Sequence, residues 1–163
     1  MAKFPTEVER SITVRVPVTQ AYQYLWNVIA SSACIEGLGS CKRVGKDTYR
    51  FTYEERSTGP VSLVVRYTAR YKGNGTNCIT FEGTTAKDDN TDVSGVLQLE
   101  RDGPETTRIS LRQMIAPDTP IPRLLQGLIK SFVEREAADG VQKYLANIKR
   151  ALETESKARA RKT

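Results

Sequence analysis

Between Tyr49 and Ile115, apolar side chains recur at alternate positions, nearly all of them odd-numbered. The set runs through Tyr49, Phe51 and Tyr53, then Leu63, Val65, Tyr67, Ala69 and Tyr71, then Ile79 and Phe81. It continues with Val93, Leu97 and Leu99 and closes on Ile109, Leu111 and Ile115. The even positions between them are polar, among them Arg50, Thr52, Arg66, Thr68, Glu82, Gln98, Arg108 and Arg112. A period of two predicts strands with one buried and one wet face. Turn signals divide them: Gly45-Lys46-Asp47, Ser57-Thr58-Gly59-Pro60, Lys72-Gly73-Asn74-Gly75, Lys87-Asp88-Asp89-Asn90 and Asp102-Gly103-Pro104. Upstream, Val8, Ile12, Val14 and Val16 alternate with polar residues until Pro17, adding a first strand. The predicted strands are therefore 8–16, 40–44, 48–55, 61–71, 78–86, 91–101 and 106–115. Their short links argue for antiparallel pairing.

The remainder repeats every three or four residues. Val18, Tyr22, Leu25, Trp26 and Ile29 predict a helix with Thr19 as its candidate cap, followed by a second short turn over 30–35. From Pro120 to about Glu153 the apolar positions are Ile121, Leu124, Leu125, Leu128, Ile129, Phe132 and Val133, then Ala137, Val141, Tyr144, Leu145, Ile148 and Leu152. Asp118 or Thr119 is placed to cap this helix with Pro120 at its first position. At ~1.5 Å per residue it would run about 50 Å. The stripe of its first half lies almost opposite that of its second half. A kink near Ala138-Asp139-Gly140 would explain this, as would two halves that cover different surfaces. Gly83 and Gly95, at inward strand positions, predict a bend, a bulge or the close approach of another element. The order of strand, two short helices, six strands and long helix is an α+β architecture, with the helices on one face of an antiparallel sheet.

At 163 residues this is one domain, expected over 1–153, with a basic tail over 154–163 expected to be disordered. No apolar run approaches the roughly 18 residues of a membrane span, and the start carries no apolar signal region, so the chain is expected in the cytoplasm. Three cysteines suit a reducing compartment, and buried free thiols outweigh a zinc reading of Cys34 and Cys41 because the chain has no histidine. No cofactor and no metal are expected. Without histidine, acid–base chemistry near neutral pH falls to Asp, Glu, Lys, Tyr or Cys, and a Ser-His-Asp or Cys-His nucleophile is excluded. The net charge of +6 invites an anionic partner. On the wet strand face, however, Glu54, Glu82 and Glu100 interleave with the arginines, and no aromatic stacking surface accompanies them, which argues against nucleic acid. Peripheral contact with anionic membrane through the tail remains open, as does a partner or membrane at Leu124, Leu128 and Phe132.

The buried face carries the candidate chemistry. Tyr49, Tyr53, Tyr67 and Gln113 are polar exceptions in an apolar lining, which is how small-molecule pockets are built. A solid core edged by tyrosine hydroxyls has the same pattern. Only Glu55 and Arg10, near strand ends, bring charge inward, which favours binding over chemistry.

The order of elements resembles the START-like (SRPBCC) superfamily, the helix-grip fold of polyketide cyclase/dehydrase and lipid-transport proteins. The resemblance covers about residues 7 to 153. Locally, Cys34-Ile35-Glu36-Gly37, Gly45-Lys46-Asp47-Thr48-Tyr49-Arg50-Phe51 and Gly59-Pro60-Val61 are similar to segments of proteins like the G-type subunit of carbon monoxide dehydrogenase. The resemblance implies a seven-stranded curved sheet wrapped around the C-terminal helix, with a cavity between them for a hydrophobic small molecule or lipid. On that reading the ligand sits among Tyr49, Phe51, Tyr53, Val65, Tyr67, Phe81, Leu97, Leu111 and Gln113, under Leu125, Leu128 and Phe132. The alternatives are a cyclase or dehydratase using Tyr67, Tyr53 or Glu55 as proton donor or acceptor, and a protein that docks on a membrane or a larger enzyme.

Overall fold

A computed structural model of the chain describes residues 2–84 and 86–161. In chain order its strands are β1 (Ala2–Lys3), β2 (Thr6–Val14), β3 (Leu38–Gly45), β4 (Thr48–Tyr53) and β5 (Arg56–Thr58). They continue with β6 (Val61–Leu63), β7 (Arg66–Gly73), β8 (Cys78–Gly83), β9 (Thr91–Arg101) and β10 (Thr107–Thr119). The helices are α1 (Val18–Trp26), α2 (Val28–Ser31) and α3 (Gln126–Arg161), with 3-10 turns at Ser32–Cys34 and Arg123–Leu125.

The seven expected strands form one curved antiparallel sheet in the order β2-β10-β9-β8-β7-β4-β3, and β1 pairs with the far end of β10 beyond β2. This is the α+β helix-grip fold. Register places like side chains in rows: Phe51 opposite Tyr67, Tyr71 opposite Phe81, Phe81 opposite Gly95, and Leu97 opposite Leu111. The odd-numbered face is the buried one, with Phe51, Tyr67, Ala69, Ile79, Phe81, Leu97, Leu99, Ile109 and Leu111 all buried. Gly95 is a place of close approach, because a Cβ there would run into the Phe81 ring.

Several boundaries differ from the sequence expectation, each for a local reason. The strand expected over 61–71 is broken at Val64-Val65. There Asn90 Nδ2 donates to the Val64 carbonyl at 2.6 Å and Asn90 Oδ1 accepts from Arg66 N at 2.9 Å. A side chain thus takes over ladder bonds, and β5 and β6 leave the sheet as a separate hairpin. Thr19 caps nothing: Pro17 holds the N-cap position of α1 without a side-chain bond, whereas Asn27 Oδ1 caps α2 by accepting from Ala30 N. β10 runs on through Pro117 to Thr119, so neither Asp118 nor Thr119 caps the final helix. The chain instead turns at Arg123–Leu125 and enters α3 at Gln126. At the other end α3 continues to Arg161, so the segment from 154, expected as a disordered tail, is helical that far. Residues 162–163 lie outside the described residues.

α3 is continuous across Gly140, and its two apolar stripes serve two surfaces. Val141, Leu145, Ile148 and Leu152 enter the main core with the sheet, α1 and α2. Ile129, Phe132 and Val133 join a satellite cluster with Phe4, Val61 and Leu63. Polar contacts tie the C-terminal half to the rest of the fold: Asn147 Nδ2 donates to the Cys34 carbonyl at 3.0 Å, and Lys149 Nζ donates to the Thr13 carbonyl at 2.8 Å. Glu153 Oε1 accepts from Arg15 N at 3.2 Å.

Candidate functional site

Between the two clusters a cavity of about 170 Å³ remains, floored by the sheet and roofed by the middle of α3. Its floor is aromatic. Phe51 stacks on Tyr67 with ring centroids 4.9 Å apart, and Tyr71 stacks on Phe81 at 5.3 Å. Cross-strand pairing brings these rings together, since each stack joins residues directly opposite one another in register. On the roof, Ala137 and Gly140 are the small residues that leave the room, and a Cβ built at Gly140 meets nothing within 4 Å.

Nine of the twelve residues expected around a ligand line this space: Phe51, Tyr53, Val65, Tyr67, Phe81, Leu97, Leu111, Gln113 and Phe132. Three do not. Tyr49 sits farther along β4, its ring edge-on to Tyr71 at 5.7 Å, with Tyr71 between it and the cavity row. Leu125 belongs to the 3-10 turn and packs against the satellite cluster. Leu128 is 44 % exposed because Ile129 takes the inward position in that turn of α3. The α-helical phase read from Ile121 does not carry through a 3-10 turn with about three residues per turn.

The polar groups inside are uncharged. Tyr53 and Tyr67 share a hydroxyl–hydroxyl bond of 3.2 Å, and Ser31, Ser32, Gln113, Tyr71 and Tyr144 add further hydroxyl and amide groups. Burial pushes the hydroxyls of Tyr53, Tyr67, Tyr71 and Tyr144 above the usual phenol range, and at Tyr53 the bond with Tyr67 offsets part of the effect. At neutral pH these groups keep their protons, so they donate or accept hydrogen bonds as neutral hydroxyls. Glu55, the carboxylate weighed as a proton carrier, is exposed and does not line the cavity. Burial also raises the Cys41 thiol. Among the described residues no cluster of three or more His, Cys, Asp or Glu side chains is placed to hold a metal ion.

Charge gathers at the mouth, where sequence reasoning found none. Glu36 on the loop before β3, Glu54 and Arg56 after β4, and Glu136, Asp139 and Lys143 on α3 all border the opening. Lys143 Nζ bonds Asp139 Oδ2 on its own helix at 3.1 Å and Glu36 Oε1 at 3.3 Å, linking α3 to the loop. The hydrogen bonds to Asp139 and Glu36 hold its ammonium above the ordinary lysine range. Alternation assigned Glu54 to the wet face. The chain leaves the sheet after Tyr53, and that departure brings Glu54 and Arg56 to the rim. Tyr71 and Tyr144 were legible as inward residues, and the pairing of small Ala137 with Gly140 was the available sign of empty space above the sheet.

No protein-family model matches the chain's sequence, and no curated protein matches it. Its fold does match solved structures. A protein from Thermus thermophilus superposes with a TM-score of 0.69 at 17% identity, covering 92% of this chain and 99% of that one. A START superfamily protein from Mycobacterium smegmatis gives 0.67 at 11% identity, over 91% and 97% of the two chains. The Zhui aromatase/cyclase from Streptomyces sp. R1128 gives 0.65 at 14% identity, over 91% and 94%. The fold is therefore START-like.

Proposed function

We propose that the protein binds a hydrophobic small molecule between the sheet and α3. The carrying observation is the cavity itself: stacked aromatic rings below, two small helix residues above, and neutral hydrogen-bonding groups within. Such a site drives binding by removing apolar surface from water and orients the ligand with a few polar contacts. Its volume is close to the about 150 Å³ that accommodates benzene in an engineered cavity. Burying about 150 Å² of a ring at about 25 cal/mol per Å² gives on the order of 4 kcal/mol, a millimolar affinity before specific bonds are added. The solved relatives in fold include aromatase/cyclases and a START superfamily protein, which supports a ligand-holding role. With no histidine in the chain and the cavity tyrosines protonated, the interior offers hydrogen bonds rather than a base at neutral pH.

Ala137→Phe tests the reading by filling the roof from a partly buried position. Titration with 2-phenylethanol, a single-ring ligand, is expected to shift amides of β4, β7 and α3 in the wild-type protein, with affinity reduced at least about tenfold in the variant. A circular-dichroism melt confirms that the variant is folded. Equal binding by both proteins would contradict the site.

A further inference from the structure

We infer that the cavity's occupant is a small organic cation, a protonated amine attached to a single aromatic ring. This rests on the binding reading above and names the ligand class.

Size sets the first limit, since about 170 Å³ holds one ring with a short substituent and not a lipid chain or a fused polycycle. The lining sets the second. Phe51, Tyr53, Tyr67, Tyr71, Phe81 and Tyr144 present π-faces to a ring or to a cation, and no charged side chain lies among them. A carboxylate placed there would lose its hydration without meeting a cation. The tyrosine hydroxyls donate and accept, so they serve either sign of ligand and do not decide.

The mouth decides. Glu36, Glu54, Glu136 and Asp139 share it with Arg56 and Lys143. Four carboxylates against two cations leave a formal charge of −2 at the entrance of a chain whose net charge is +6. Two of the carboxylates already hold Lys143. Glu54 and Glu136 form no ion pair among the described residues and are the groups that meet an incoming ammonium. The local field is thus opposite to that of the whole molecule, and it favours entry of a cation over an anion with the same body.

Three probes share one body and differ in charge: 2-phenylethylamine, 2-phenylethanol and 3-phenylpropanoate. Each is titrated into isotope-labelled protein at low salt while amide chemical shifts are followed by NMR, which also locates the site. The amine is expected to bind about tenfold tighter than the acid, with the alcohol between. Glu54→Gln/Glu136→Gln is expected to shrink the ratio of amine to alcohol affinity toward one, and high salt is expected to do the same. An acid that binds as tightly as the amine, or an amine preference that survives the double substitution, overturns the proposal while the binding reading stands. If none of the three shifts amides of β4, β7 or α3, the uncharged alcohol included, the binding reading itself fails and the proposal fails with it.

Discussion

The Phe81 ring lies against Gly95 on one neighbouring strand and stacks with Tyr71 on the other, and this one missing Cβ shapes the cavity floor. A methyl group at position 95 would collide with the Phe81 ring and come within 2.8 Å of the Arg112 carbonyl oxygen. The ring can turn aside but the backbone carbonyl cannot move freely. Gly95→Ala is therefore expected to destabilise the fold by about 1–3 kcal/mol, the usual cost of overpacking, read as a lower urea midpoint with an unchanged m-value. A midpoint equal to that of the wild type would contradict the placement of Phe81. The glycine was legible in the sequence as an interruption of the inward row, but its partner was not, because alternation gives faces and not register. For the same reason Tyr49 shared parity with the cavity rings yet ended beside Tyr71. Glu54 and Arg56 were invisible as rim charges because their place depends on where β4 ends, and the Asn90 bonds that break the neighbouring strand are side-chain chemistry.

α3 is one element with two duties. Its stripes point in nearly opposite directions and bury against the sheet on one side of Gly140 and against Phe4, Val61 and Leu63 on the other. The change of stripe was legible, but whether it meant a kink or two surfaces was not, since both produce the same sequence. The helix keeps its geometry through Gly140 because burial on either side outweighs the ~1 kcal/mol that glycine costs. Glu153 is the polar anchor of the C-terminal half. Burial alone would raise its carboxyl, but hydrogen bonds from Lys149 and the Arg15 amide, together with the charges of both residues, hold it below the ordinary range. A depressed carboxyl contributes stability above its unfolded pKa and loses it as pH falls through the folded value. Glu153→Gln is accordingly expected to cost about 1 kcal/mol near pH 7, with the gap from wild type closing below about pH 4. Urea titrations at several pH values check this, and a gap that widens in acid would contradict the assignment.

Across the whole molecule, the sheet, α1, α2 and the C-terminal half of α3 make the main core, and the first half of α3 with the β5–β6 hairpin makes a lesser one. The cavity occupies the seam between them. On the outer side of the lesser cluster Leu124 is 97 % exposed, and no helix among the described residues is long and apolar enough to cross a membrane. The fold class was readable from element order and parity alone. A cavity was not, because a filled core and a hollow one alternate alike, and the difference lies in small residues such as Ala137 and Gly140. Whether that space takes a ligand is tested most directly by native mass spectrometry of protein purified without detergent, followed by organic extraction of the same sample. An adduct of low mass, present as purified or formed with the single-ring probes added at millimolar concentration and lost in Ala137→Phe, is the predicted result. An adduct retained by the filled variant, or a bare chain that takes up none of the single-ring probes, would contradict it.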